Sequence, residues 1–140
     1  EYFMQQAYDQ ALIAYNIGEV PIGAVLVKDS KVVSVGYNQT ITNVDPTAHA
    51  EIVAIRSAAK ILSNHRLVGT KLYVTMEPCI MCFGAIVQAR VSEIIYACDD
   101  SRVGALSKEN YHLNANVNHN TTVTGGVLHQ ECSDLLKKFF

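Results

Sequence analysis

The segment from Leu72 to Cys82 constrains this chain more than any other. A short apolar run, Leu72 to Thr75, leads into Pro78-Cys79-Ile80-Met81-Cys82 and then into a helical stretch reaching about Gln88. Proline has no N–H to donate, and its fixed φ suits the first helical position. Pro78 therefore marks where a buried strand gives way to a helix. The same alternation recurs along the chain. Met4, Ala7, Tyr8, Ala11, Leu12 and Tyr15 follow i, i+3, i+4 spacing, which predicts an amphipathic helix up to Asn16, ended by Gly18, with both tyrosines on its core face. Ala24–Val27 and Val32–Tyr37 are rich in β-branched residues and flank the polar Lys28-Asp29-Ser30-Lys31, so they predict an antiparallel hairpin. Asp45-Pro46 is predicted to cap and open a second helix that buries Ile52, Ile55, Ala59 and Leu62. Ile94–Ala97 reads as a fourth strand, and Val127–Phe140 as a last helix with Leu135 and Leu136 inward. Ser107–Asn120 is polar and supports no clear element. Strands alternating with helices predict a three-layer α/β domain whose sheet is partly parallel.

With 140 residues, half of them apolar and 17% charged, the chain is expected to fold as one domain, 1–140, without disulfide staples. No apolar run reaches the roughly 18 residues of a membrane span. The first residues do not have the pattern of a secretory signal, and a start without Met leads us to expect that the numbering begins inside a longer gene product. The net charge of -2 argues against non-specific nucleic-acid binding by bulk charge, while leaving room for a local basic groove. Four cysteines without an export signal point to a reducing, cytoplasmic setting. There, a close cysteine pair indicates a metal or redox site.

Cys79 and Cys82, at i and i+3, are predicted to put both sulfurs on one side of the first turn of their helix. The positive end of the helix dipole favours thiolates there, and thiolates are zinc ligands. His49, in His49-Ala50-Glu51 at the start of the second helix, is expected to supply an imidazole. Two sulfurs and one nitrogen leave a tetrahedral zinc with one position for water, the layout of a catalytic site. Glu51 lies two residues from His49, off its face, and so is expected to flank that water and shuttle its proton. This pairing suits hydrolysis at an amidine-like carbon with loss of ammonia. Two other readings of Cys79 and Cys82 are a thioredoxin-type redox pair and half of a structural zinc site. The first lacks thioredoxin-like flanks. The second needs a fourth ligand from Glu51, Cys98, His65, His112, His119 or His129, none of which has the short spacing of a second Cys-x-x-Cys.

His49-Ala50-Glu51 together with Pro78-Cys79-x-x-Cys82 resembles the signature of the cytidine and adenosine deaminase superfamily. More specifically the chain resembles the bacterial tRNA-specific adenosine deaminases, through Glu19–Ala24, Asp45–Ile52, Leu72–Cys82 and the ending from Gly126 to Phe140. The resemblance covers nearly the whole chain. It implies a cytidine-deaminase-like α/β/α fold with a mixed five-stranded sheet and helices on both faces. It implies one zinc per chain on His49, Cys79 and Cys82, with Glu51 as the catalytic proton carrier. The implied reaction is conversion of the wobble adenosine of a tRNA anticodon stem-loop to inosine, by a homodimer in which both subunits shape the RNA site. Asn38 and Asp100 match substrate-side positions of the family. Leu106-Ser107-Lys108-Glu109 departs from the family's small residues after Gly104-Ala105, and Asn120 replaces a frequent Arg after Asn118-His119. Only Lys137 and Lys138 hint at the basic extension that many members carry. Free-base deaminases of the guanine type share the motifs around His49 and Cys79. Glu19-Val20-Pro21-Ile22 and Phe139-Phe140 favour the tRNA enzymes.

Overall fold

The computed structural model describes residues 1–114, 117 and 119–140. In chain order the elements are α1 (Tyr2–Asn16), β1 (Gly23–Lys28), β2 (Lys31–Tyr37), α2 (Ala50–Leu62), β3 (Thr70–Met76), α3 (Ile80–Ala89), β4 (Glu93–Cys98), β5 (Thr122–Thr124) and α4 (His129–Phe139). One five-stranded sheet runs β2-β1-β3-β4-β5. β1 is antiparallel to both neighbours, while β3, β4 and β5 are parallel. The predicted hairpin is present. Asp29 and Ser30 both hold positive φ, 52° and 60°, as in the two-residue turns that match strand twist.

Side chains alternate across the sheet and build a core on each face. Ala24, Leu26, Leu72, Val74, Ile94 and Tyr96 pack with residues of α2 and α3. Val25, Val27, Ile95 and Ala97 face α1 and α4, meeting Met4, Ala7, Cys132 and Leu136. The three-layer expectation holds. β5 adds a strand just beyond the polar Ser107–Asn120 region, where the residue pattern gave no element, tied on by Thr122 N–H to the Ser92 carbonyl. Among the described residues no helix is long and apolar enough to cross a membrane.

Three local expectations are corrected. Asp45-Pro46 does not open α2. The Asp45 carboxylate accepts hydrogen bonds from Thr47 N–H (2.9 Å) and Thr47 hydroxyl (2.8 Å), closing a turn, and the helix starts at Ala50. The fully buried stripe of α2 is Ala50, Ala54 and Ala58, whereas Ile52, Ile55, Ala59 and Leu62 flank it half-buried. Small residues win that stripe because the helix lies directly on β2. Tyr8 and Tyr15 are likewise half-buried, with Tyr15 edge-on to Phe139 and under the Lys138 ammonium.

The closeness of α2 to the sheet centres on Gly36. A Cβ there would sit 2.4 Å from the Ala50 carbonyl oxygen and 2.8 Å from the Ala54 nitrogen. Ser34 beside it donates a 2.7 Å hydrogen bond to the Ala54 carbonyl. Gly36→Ala is therefore expected to force the first turn of α2 off the sheet, at a cost of about 1–3 kcal/mol of stability. A fall in the urea midpoint measures this; an unchanged midpoint shows that α2 is free to shift.

Candidate metal centre and active site

β2 and β3 run in the same direction, since each is antiparallel to β1, and both end at one edge of the sheet. The chain after β2 leads to α2, and the chain after β3 leads to α3, so two helix N-termini meet above that edge. His49 and Cys79 are the residues immediately before these helices, both with extended backbone (ψ 156° and 175°). Cys82 follows in the first turn of α3. The metal-ligating atoms of His49, Cys79 and Cys82 all lie within 4.8 Å of one another. His49 Nδ1 is 3.7 Å from Cys79 Sγ and 3.4 Å from Cys82 Sγ. Zinc–sulfur bonds of about 2.3 Å and zinc–nitrogen bonds of about 2.0–2.1 Å give a tetrahedral N···S edge of roughly 3.6 Å, so the donor set has the size and chemistry for zinc.

Electrostatics agree with that donor set. The Cys79 thiol is pushed down to about 3, first by its hydrogen bond with Cys82 and also by His49, against the effect of burial. Cys82 moves the other way, because its proton is held on the Cys79 sulfur and it is buried near Glu51. The pair thus shares one proton, which a divalent cation would release on binding. His49 is raised, chiefly by its hydrogen bond with Cys79. Glu51 is 4% exposed, and burial pushes its carboxyl up to about 7, with its own backbone N–H and His49 opposing. Its carboxyl also meets the Cys82 thiol. A carboxyl beside the donor set that gains and loses a proton near neutrality is suited to general acid–base work.

Of the residues considered as a fourth ligand, Cys98 directs its thiol at the His129 carbonyl. His119 Nε2 meets the Val91 carbonyl at 2.9 Å, and His129 Nδ1 meets the Ala97 carbonyl at 3.3 Å.

Residues 1–98 match the family described as the cytidine and deoxycytidylate deaminase zinc-binding region. The chain belongs to this deaminase family. Among its relatives, the tRNA-specific adenosine deaminase of Buchnera aphidicola (subspecies Baizongia pistaciae) is 46% identical, covering 100% of this chain and 87% of that protein. A solved structure from work on A-to-I editing by tRNA:A34 deaminases at the wobble position superposes with a TM-score of 0.93 at 40% identity, over 96% of this chain and 99% of the other. The guanine deaminase of Bacillus subtilis is 43% identical with a TM-score of 0.67, over 70% of this chain and 63% of the other.

Within the deaminase fold, Asn38 is buried at the end of β2, its N–H donating to the Ile22 carbonyl (3.1 Å). Asp100 follows β4 and uses Oδ1 to accept the N–H groups of Arg102 (3.0 Å) and Val103 (3.2 Å), so part of its carboxylate serves its own loop. It also lines a cavity of about 390 Å³ with Val20, Ile22, Met76, Arg102 and Phe140. Asn118, named with His119 in the family pattern, lies outside the described residues.

Two buried carboxylates escaped the residue-by-residue reading. Glu19, 1% exposed, accepts hydrogen bonds from Thr42 N–H and hydroxyl (both 2.7 Å), Ile41 N–H and Thr40 hydroxyl, holding the loop after Asn38. Glu77, 3% exposed, accepts from Asp100, Leu106 and Ser107 N–H groups and from the Ser107 hydroxyl. Burial raises both carboxyls, but the hydrogen bonds outweigh it and hold both below the ordinary value. The sequence signal was present in each case as a lone acid inside an apolar, proline-containing segment, Glu19-Val20-Pro21 and Met76-Glu77-Pro78.

Proposed function

We propose that this chain deaminates the wobble adenosine of a tRNA anticodon stem-loop to inosine, with residues 1–140 acting as one zinc-dependent deaminase domain. The observation that carries the chemistry is the convergence of His49, Cys79 and Cys82 beside the buried carboxyl of Glu51. In this reading His49 Nδ1 and the two cysteine sulfurs hold one zinc ion. When bound, zinc supplies a water acidic enough to attack at neutral pH. Glu51 takes the proton of the attacking water on a carboxylate oxygen and passes it to the purine ring; it then takes the proton of the newly formed hydroxyl and delivers it to the departing amine. Adenosine and water become inosine and ammonia. Asn38 and Asp100 are assigned to the substrate side, at the end of β2 and in the loop after β4, where they flank the same sheet edge.

The choice of substrate is supported by the relative and the solved structure named for tRNA deamination, which match this chain over nearly its whole length. The guanine deaminase matches over a smaller part, and free-base deamination is the second reading. Incubating the zinc-loaded protein with an anticodon stem-loop carrying wobble adenosine, in parallel with free adenine, guanine and cytosine, separates the two. Inosine in the stem-loop alone is expected; guanine turnover without inosine overturns the assignment. We propose a cytoplasmic location, in keeping with a tRNA substrate and four free cysteines.

A homodimer fits the outer face of α3. Its ten residues, Ile80–Ala89, include no charged side chain, although Ile80, Met81, Gly84, Ala85 and Gln88 are exposed or half-exposed. A groove of about 530 Å³ opens beside it, lined by Ile52, Ile55, Met81, Ala85 and Ala89 among others. A helix apolar all round is a helix meant to be covered. A Cβ on Gly84 would meet nothing within 4 Å among the described residues, so none of them requires the glycine. A second copy laid against α3 is what would require it. Gly84→Lys is expected to halve the mass seen by sedimentation while leaving the subunit as stable or up to about 1 kcal/mol more stable. A mass equal to that of the unsubstituted protein removes α3 from the interface.

A further inference from the structure

We infer that Glu77 is a positioning residue that fastens the loop joining β4 to the polar region, residues 99–107, as a preset wall of the RNA site. The inference rests on the proposed stem-loop substrate and concerns how this chain holds it. Four donors converge on one carboxylate: Asp100 N–H at 2.9 Å, Leu106 N–H at 2.7 Å, Ser107 N–H at 2.8 Å and Ser107 hydroxyl at 2.7 Å. An acceptor-only group is the one side chain that satisfies them all. The same loop is laid against the metal-side segment. Gly104 pairs with Cys79 as an antiparallel bridge, and Ala105 N–H donates to the Pro78 carbonyl at 3.0 Å.

The loop reaches Glu77 only because residue 104 is glycine. A Cβ there would lie 2.4 Å from the Glu77 carboxyl carbon. Leu106 then drops into the core, 1% exposed, which explains the larger side chain at this departure from the family pattern. Ser107, in the same departure, contributes two of the four hydrogen bonds. Glu77 touches the loop through its carboxylate and makes none of these bonds to the cysteine sulfurs. Its removal should therefore free Asp100 and its neighbours while α3 keeps the ligand set. Preorganised walls act mainly by sparing the ordering cost of binding.

The test compares Glu77→Gln and Ser107→Ala with the unsubstituted protein, all zinc-loaded. Readouts are zinc per chain, kcat and KM on the wobble-adenosine stem-loop, and amide hydrogen exchange. Glu77→Gln turns an amide NH2 toward backbone donors. It is expected to keep one zinc, raise KM about tenfold or more with a smaller change in kcat, and lose protection at Asp100, Leu106 and Ser107. Ser107→Ala deletes one hydrogen bond without threatening the fold and is expected to raise KM about threefold. It decides the matter if Glu77→Gln does not fold. An unchanged KM in Ser107→Ala, or a Glu77→Gln protein that folds but fails to hold one zinc, overturns the inference. An unsubstituted protein that makes no inosine in the stem-loop fails the functional proposal, and loop protection then still reports on the Glu77 fastening.

Discussion

Glu51→Ala is expected to retain one zinc per chain and to lose turnover by at least about 10³-fold, within or beyond the range that positioned acid–base groups contribute. The residue has two features of a proton carrier. It is buried beside the donor set, 4% exposed, and its carboxyl is raised to about 7 chiefly by that burial. It belongs to α2, whereas two of the three donors belong to the α3 end, so shortening it leaves the sulfurs and His49 where they are. Glu51→Gln is the sharper variant, since it keeps the volume and a hydrogen-bonding oxygen but cannot carry the proton, and its kcat is expected to fall as far. Metal analysis on the purified variants, alongside kcat on the stem-loop, reads both halves. A Glu51→Ala protein that has lost its zinc would make Glu51 a ligand, close the coordination sphere, and turn the centre into a structural one.

The motifs carried more of this than the patterns around them did. The convergence of His49, Cys79 and Cys82 was legible because a metal-binding set calls for fixed residue types at fixed spacing, and two helix starts are a cheap way to bring them together. The hairpin was legible from Asp29-Ser30, where turn geometry selects residues tolerant of positive φ. The start of α2 was not. Asp45-Pro46 carries a helix-opening signal, but the same Asp45 oxygen accepts Thr47 first, and the four residues gained let His49 sit extended at the helix tip rather than inside it. The inward face of α2 was misjudged because size was taken for burial, whereas contact with Gly36 demands alanines. β5 was invisible for a different reason. Three residues of alternating polarity gain their place from the β4 ladder alone. Glu19 and Glu77 were missed because each satisfies donors from a loop distant in sequence, and no local pattern encodes such a partner.

Cys79→Ser is expected to cost both metal and activity. A serine hydroxyl stays neutral at any pH where the protein folds, so zinc would trade a thiolate for a weak oxygen donor. Loss of an outer-shell partner alone costs about 10–100-fold in metal affinity, and loss of a ligand should exceed that. The fold should survive the change. Cys79 is only partly buried, and the chain on either side is held by other groups: Ala105 N–H on the Pro78 carbonyl, Phe83 N–H on the Cys79 carbonyl, and the four hydrogen bonds on Glu77. Circular dichroism is therefore expected to match the unsubstituted protein, while dialysis against a mild chelator strips zinc from the variant and not from its parent. Excess zinc in the assay should return a small part of the activity, because His49 and Cys82 remain. Full activity in a metal-free Cys79→Ser protein would show that turnover does not depend on zinc, and would overturn the metal-dependent assignment. Zinc retained at one per chain with turnover intact would show that the Cys79 sulfur is not a ligand.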